Sequence, residues 1–311
     1  MLVIFESILP VFLLVVLGAV LKRCRVMSGD QWDGMERLGF FVLFPALLFS
    51  TLARADFTGL QADATGLATI GSVTLMSLAV LAAWPPLRRR GVTPSAFTTI
   101  FQTSTRWNGF IALAAAHTLF GELGLTLTAL VMTLLILPIN IYNIAVLIWF
   151  GGGQRNFGAF VLRILSNPMI LASLAGILVN RAGLGVYPPL MSAVEMMAGA
   201  SLSLGLIMVG AGLRLGDALR PSLEALIGVV LKLVVMPVFM VGAGYLLGMR
   251  GDALGVVALG ASVPTAMNGY ILAKQMGGDA PLYAATATLQ TVASFFTIPL
   301  ILAATAYLSA G

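Results

Sequence analysis

Charge is what this sequence has least of. Only 9% of its 311 residues are Asp, Glu, Lys or Arg, while 59% are hydrophobic; soluble domains carry about one quarter charged residues. A water-soluble domain is excluded on that ground, and an integral membrane protein is the class that remains. Cysteine is nearly absent too: Cys24 stands alone, so no internal disulfide can form. His117 is the single histidine. With no HExxH motif, no second histidine and no pair of deep aspartates, intramembrane hydrolysis lacks its reacting groups, and the chain does not read as an enzyme. Metal and cofactor sites find no ligands either. Long polar segments are also missing, which counts against a receptor with soluble signalling parts. The apolar runs are continuous rather than alternating, which argues against a membrane β-barrel.

What is present is a series of such runs. A bilayer core takes about 20 apolar residues per helix, and ten windows satisfy this: 3 to 21, 38 to 53, 66 to 84, 95 to 120, 124 to 150, 167 to 182, 190 to 213, 222 to 248, 252 to 275 and 280 to 307. Cationic residues alternate between the connecting loops. One set holds Lys22, Arg23, Arg25, Arg37, Arg88, Arg89, Arg90, Arg155, Arg163, Arg214, Arg220 and Lys274; the other holds Arg54, Arg181 and Arg250, which is 12 against 3. Loops rich in Lys and Arg stay in the cytoplasm, so both termini are expected on the non-cytoplasmic side. The net charge of +5 is a topology signal and not a nucleic-acid footprint.

The halves echo one another. Pro10, Gly18 and Arg23 recur as Pro168, Gly176 and Arg181, displaced by 158; Asn108, Gly109 and Phe110 recur as Asn268, Gly269 and Tyr270, displaced by 160. Five helices per half force the second copy to enter the membrane from the opposite side. The expected fold is therefore all-α: ten transmembrane helices in two inverted five-helix repeats, residues 1 to 150 and 167 to 311, joined by a cytoplasmic linker at 151 to 166.

Two stretches interrupt the apolar pattern at equivalent places, FQTSTRWNGF at 101 to 110 and SVPTAMNGY at 262 to 270. Hydrocarbon offers no partner to freed backbone groups, so a polar run or a proline there marks a break that lines a cavity. Asn108 lies roughly 20 Å along a helix starting near residue 95, and both breaks fall near mid-membrane. Discontinuous helices at that depth form transporter sites, because half-helix N-termini present free N–H groups and partial positive charge. Arg106 belongs to the first break. Lys232 lies about 16 Å into its helix counted from Pro221, where it either faces a ligand, donates to exposed carbonyls or snorkels to the interface. No carboxylate occupies equal depth: Glu6 and Glu195 fall near outer ends and Glu224 near an inner one. The inventory suits an anion, and a carboxylate fits best.

The candidate substrate-binding residues are Arg106, Asn108, Gly109, Ser262, Pro264, Thr265, Asn268 and Lys232, with Asn140 and Asn143 after Pro138 facing the same cavity or hydrogen-bonding between helices. Gln290, Thr286 and Thr291 have weaker claims. His117 could carry protons. Gly242, Gly244 and Gly248 read as close-packing glycines.

FQTSTRWNGFIALAAAHTLFG, SNPMILASLAGILVN, LIMVGAGL and SVPTAMNGYILAKQMGGD together resemble bacterial members of the auxin efflux carrier family, over essentially the whole chain. The resemblance implies crossed, broken helices four and nine, a scaffold of helices 1, 2, 6 and 7, and a transport domain of helices 3 to 5 and 8 to 10 moving as an elevator. It implies small organic anions as substrates, mono- or dicarboxylates, a homodimer through the scaffold, and residence in the bacterial plasma membrane. The plant carriers have a proline at both breaks, whereas residues 104 to 110 contain none, and their long cytoplasmic loop is missing. A sodium- or proton-coupled cation exchanger or symporter of the same architecture is the alternative, although it would call for deep acidic residues.

Overall fold

The protein is described by a computed structural model over residues 2–57, 62–151, 166–219 and 221–310. Arg155, Arg163, Arg220 and most of the expected linker at 151 to 166 lie outside the described residues. Every described element is a helix: α1 (Leu2–Arg23), α2 (Gly29–Leu38), α3 (Phe44–Ala53), α4 (Ala62–Ala82), α5 (Trp84–Arg89), α6 (Pro94–Thr105), α7 (Gly109–Phe150), α8 (Pro168–Arg181), α9 (Pro188–Gly212), α10 (Leu215–Ala218), α11 (Leu223–Val230), α12 (Met236–Leu246), α13 (Gly251–Ser262), α14 (Gly269–Met276) and α15 (Ala280–Ala310). Among the described residues, seven helical stretches are long and apolar enough to cross a membrane, and Pro168–Arg181 and Gly251–Ser262 are shorter apolar helices.

Several expected boundaries shift for local reasons. The span expected from residue 38 starts at Gly29, because Ser28 and Gln31 form a reciprocal capping box, with the Ser28 N–H donating to Gln31 Oε1 at 2.8 Å. The amphipathic α2 then enters α3 through a π-helical turn, Gly39–Leu43. A second π turn, Leu231–Val235, joins α11 to α12 ahead of Pro237; such bulges in α-helices recur at functional sites. Two runs expected as separate helices, ending at 120 and starting at 124, are two helices that meet without a loop at Gly121, where the backbone leaves the helical range. Its φ of 60° and ψ of −148° suit a residue without a Cβ.

Small residues set the closest approaches. A Cβ at Gly18 would overlap the Ile207 carbonyl, and one at Gly210 the Val15 carbonyl, so α1 lies backbone to backbone along α9. On the other side α8 lies along α3, where a Cβ at Gly176 would sit 2.8 Å from Phe49 O. Of the three glycines expected to pack closely, only Gly244 does, 2.8 Å from Leu254 Cδ1; Gly242 faces open space, and Gly248 serves a positive φ of 82°.

Two packed groups result. One gathers α1, α3, α8 and α9; the other gathers α4, α6, α11, α12, α13 and α15; and α7 touches both. The larger core holds Phe97, Ile100, Phe101 and Ile111 with Met236, Leu254 and Leu259. Leu13, Leu17, Leu174 and Leu178 point outward, as hydrocarbon requires and water would not favour.

Candidate functional site

Both breaks exist, and they touch. Helix α6 stops at Thr105, Arg106 is extended with φ −73° and ψ 158°, and α7 begins at Gly109. No proline is needed for this. Helix α13 stops at Ser262, Val263 is extended with φ −70° and ψ 150°, and α14 begins at Gly269. Between them the Asn108 N–H donates to Pro264 O at 2.8 Å, so each gap satisfies part of the other's backbone. The hydroxyls of the first polar run satisfy carbonyls of their own helix: Thr103 donates to Thr99 O, Ser104 to Ile100 O and Thr105 to Phe101 O at 2.6 to 3.0 Å. Ser262 likewise donates to Ala258 O at 2.6 Å. A polar run therefore fits inside an apolar helix without orphaned hydroxyls.

The two asparagines differ. Asn108 is buried, takes an N-cap conformation (φ −93°, ψ 101°), and its Oδ1 accepts the Ile111 N–H at 3.2 Å. Asn268 is exposed and helical (φ −60°, ψ −22°), and its side chain caps nothing. Their equivalence in sequence does not extend to the cap. Gly109 packs under Met132, whose Sδ would lie 3.1 Å from an added Cβ.

Helix α15 holds the second break. Gln290 Oε1 accepts the Thr265 N–H at 2.9 Å, and its Nε2 donates to Thr103 O at 3.1 Å and Gly228 O at 2.9 Å. One amide thus joins both breaks to α11. The Tyr283 hydroxyl donates to Ala266 O at 2.6 Å and stands 3.0 Å from Thr265 Oγ1, in the space that any side chain at Gly269 would occupy. Gln290 was among the weaker candidates. Tyr283 was missed altogether, although a phenol in an apolar run must find a polar partner, and that signal was available.

The two deep cations are buried. Arg106, 6% exposed, donates from Nη2 to Asn140 Oδ1 at 3.5 Å, while its Nε has no hydrogen-bond partner. Asn143 donates to Ile139 O at 2.7 Å and pairs with Thr105 at 3.1 Å, tying α7 to the end of α6. Lys232, 2% exposed, sits in the π turn and makes no hydrogen bond or ion pair with any described residue. Both the snorkelling and the carbonyl-donating readings of this lysine are corrected: its surroundings are buried and its ammonium is unpaired. With Thr105, Trp107, Val257 and Gly260 it lines a cavity of about 10 Å³, room for about one water molecule. Among the described residues no Asp or Glu is buried, and no cluster of His, Cys, Asp and Glu could hold a metal.

His117 lies apart from the crossing. Its Nε2 is 3.3 Å from Glu122 Oε1 across the Gly121 kink, both side chains exposed. They face a vestibule of about 930 Å³ between α1, α3, α7 and α9, whose lining includes Asp56 and the Arg54–Glu195 ion pair. Ala114 also lines this vestibule; six residues beyond Asn108, it stands roughly 9 Å along α7 from the break.

Broken helices that meet inside an all-helical apolar bundle, beside a vestibule, are the arrangement in which membrane transporters hold their cargo. The family model described as membrane transport protein matches residues 155–302. An "Uncharacterized transporter" of Methanothermobacter thermautotrophicus is 27% identical over 306 residues, 95% of this chain and 96% of its own. A "Putative malonate transporter" of Rhizobium meliloti is 27% identical over 303 residues, covering 94% and 92%. The "Uncharacterized transporter YfdV" of Escherichia coli is 21% identical over 284 residues, covering 86% and 87%. The second half of the chain is thus similar to a membrane transport family, and the relatives it matches along most of its length are named as transporters.

Proposed function

We propose that this protein is a secondary transporter of small carboxylates, built as two inverted five-span repeats that cross at the breaks and move by an elevator. The observation that carries the reading is the charge balance at the crossing: Arg106 and Lys232 are buried there, and among the described residues no acidic one is buried with them. The four half-helix ends contribute little net charge, since the C-termini of α6 and α13 oppose the N-termini of α7 and α14. What remains is positive. A carboxylate supplies the missing counter-charge, and the name of the Rhizobium meliloti relative makes malonate the first compound to test.

The repeat is supported by an exchange of partners. Gly18, in the first half, packs on a carbonyl of α9 in the second; Gly176, at the matching position of the second half, packs on a carbonyl of α3 in the first. An inverted duplication produces this reciprocity, because equivalent helices meet each other's partners. The scaffold is then α1, α3, α8 and α9, and the remaining helices carry the site past it. The loop charges put the vestibule on the non-cytoplasmic side.

Purified protein in liposomes, tested for counterflow of labelled malonate and a panel of mono- and dicarboxylates, decides the matter. Carboxylate flux is expected. Sodium or proton flux with no carboxylate movement would replace this reading with cation transport.

A further inference from the structure

We propose that the carrier is an obligatory exchanger: it crosses the membrane only while a bound dianion neutralises Arg106 and Lys232, so that net flux through the empty site is blocked. The inference rests on the carboxylate reading above and adds to it how transport is coupled.

The argument starts from the empty site. Both cations are more than nine-tenths buried and neither has an acidic neighbour among the described residues. Arg106 makes one long hydrogen bond to a neutral amide and leaves Nε without a partner. A guanidinium does not release its proton in proteins, so this charge stays with the site whatever else happens. Lys232 adds a second in its ammonium form. The cavity that Lys232 lines holds about one water molecule, too little to hydrate an ammonium as bulk water does, and Arg106 does not line it. An isolated charge near the bilayer centre is costly, and transporters place such groups against partners or in wet cavities. The empty site has neither.

Loading changes the sum. A dicarboxylate carries two negative charges, the guanidinium accepts one carboxylate in bidentate fashion, and the ammonium faces the other as a point charge. The loaded site is neutral and free of a charge penalty in either access state, whereas the empty one would take two bare charges through the same low-dielectric passage. A monocarboxylate leaves one charge over. Exchange of dianion for dianion is then the fast process, and it moves no net charge.

Three measurements on the full-length protein in liposomes test this, with malonate as the probe. Vesicles preloaded with unlabelled malonate are compared with empty ones for uptake of labelled malonate, the membrane potential being clamped. Uptake into empty vesicles is expected to be at least about a hundredfold slower, the factor set by the cost of a single isolated charge at the bilayer centre. Exchange itself should not respond to an imposed potential. In Lys232→Met, one uncompensated charge is gone, so the ratio of exchange to net uptake falls and acetate gains on malonate; Lys232→Arg keeps the charge and keeps exchange coupled. Equal rates into loaded and empty vesicles overturn the proposal and leave the carboxylate reading intact. Net uptake driven by an acid exterior, with protons entering alongside malonate, also overturns it, since Lys232 would then be shedding its charge to water. Absence of malonate movement in any of these formats, together with no effect of malonate on thermal stability, removes both readings. Should Lys232→Met fail to insert, the comparison of loaded with empty wild-type vesicles still decides.

Discussion

At residue scale the two asparagines of the breaks separate structure from binding. Asn108 caps α7, and loss of an N-cap costs about 1 kcal/mol; Asn108→Ala should therefore lower thermal stability in detergent and abolish stabilisation by malonate. Asn108→Ser retains a capping oxygen but no amide, so stability should return while the malonate-induced shift does not. Asn268 caps nothing and is exposed; Asn268→Ala should alter stability by no more than about 0.5 kcal/mol. If Asn108→Ser restored malonate binding in full, Asn108 would be a cap and no more. The sequence marks both residues equally, because it shows composition and spacing and not the backbone angles that follow a break. Arg106 and Lys232 were legible for the opposite reason: a lysine or arginine deep in an apolar run stands out without knowledge of the geometry. That Lys232 would be unpaired could not be read, since a partner might have come from any helix.

At the scale of elements, most spans were legible from their length and apolar content, and the misplacements share one cause. Caps and π turns move boundaries by local hydrogen bonding, which hydropathy does not report: Ser28 and Gln31 extend a span backward, and the π turn Gly39–Leu43 carries α2 into α3. The first break is the clearest case. No proline announces it, and it is held open from outside by Pro264 O and by the Gln290 amide. Gln290→Leu should then strand the Thr265 N–H and Thr103 O, each buried unpaired group costing about 1–3 kcal/mol, while Gly228 O keeps the Leu231 N–H. A loss of several kcal/mol in urea or thermal unfolding is expected, with Gln290→Glu losing less because the acceptor for Thr265 persists. Helix contact gives a parallel test. At Gly18 a side chain meets the Ile207 backbone, so Gly18→Val should cost about 1–3 kcal/mol through overpacking, while Gly242→Ala, with nothing within 4 Å, should be neutral or slightly stabilising. Equal effects at the two positions would deny that α1 and α9 meet backbone to backbone.

For the whole molecule, the question is whether the two packed groups are bodies that slide. The group holding α1, α3, α8 and α9 meets the rest chiefly through α7, and one contact there is intimate: a Cβ at Gly205 of α9 would overlap the Phe110 ring at the start of α7. That close approach makes the pair the place to introduce a disulfide, which needs Cβ atoms about 3.5–4.5 Å apart. Cys24 is the only native cysteine and is exposed, so a Cys24→Ser background leaves an introduced pair as the sole thiols. Gly205→Cys with Phe110→Cys should form a cross-link on oxidation in detergent or in vesicles. If the groups must move past each other in every cycle, the oxidised protein exchanges no malonate and reductant restores it, while each single-cysteine protein is indifferent to oxidant. Malonate should still raise the melting temperature of the locked form, because a site at the crossing lies within the group that contains α6, α13 and α15 and does not need the other to bind. Transport that continues undiminished through the cross-linked protein would mean that access alternates by local gating at the breaks, with the two groups fixed.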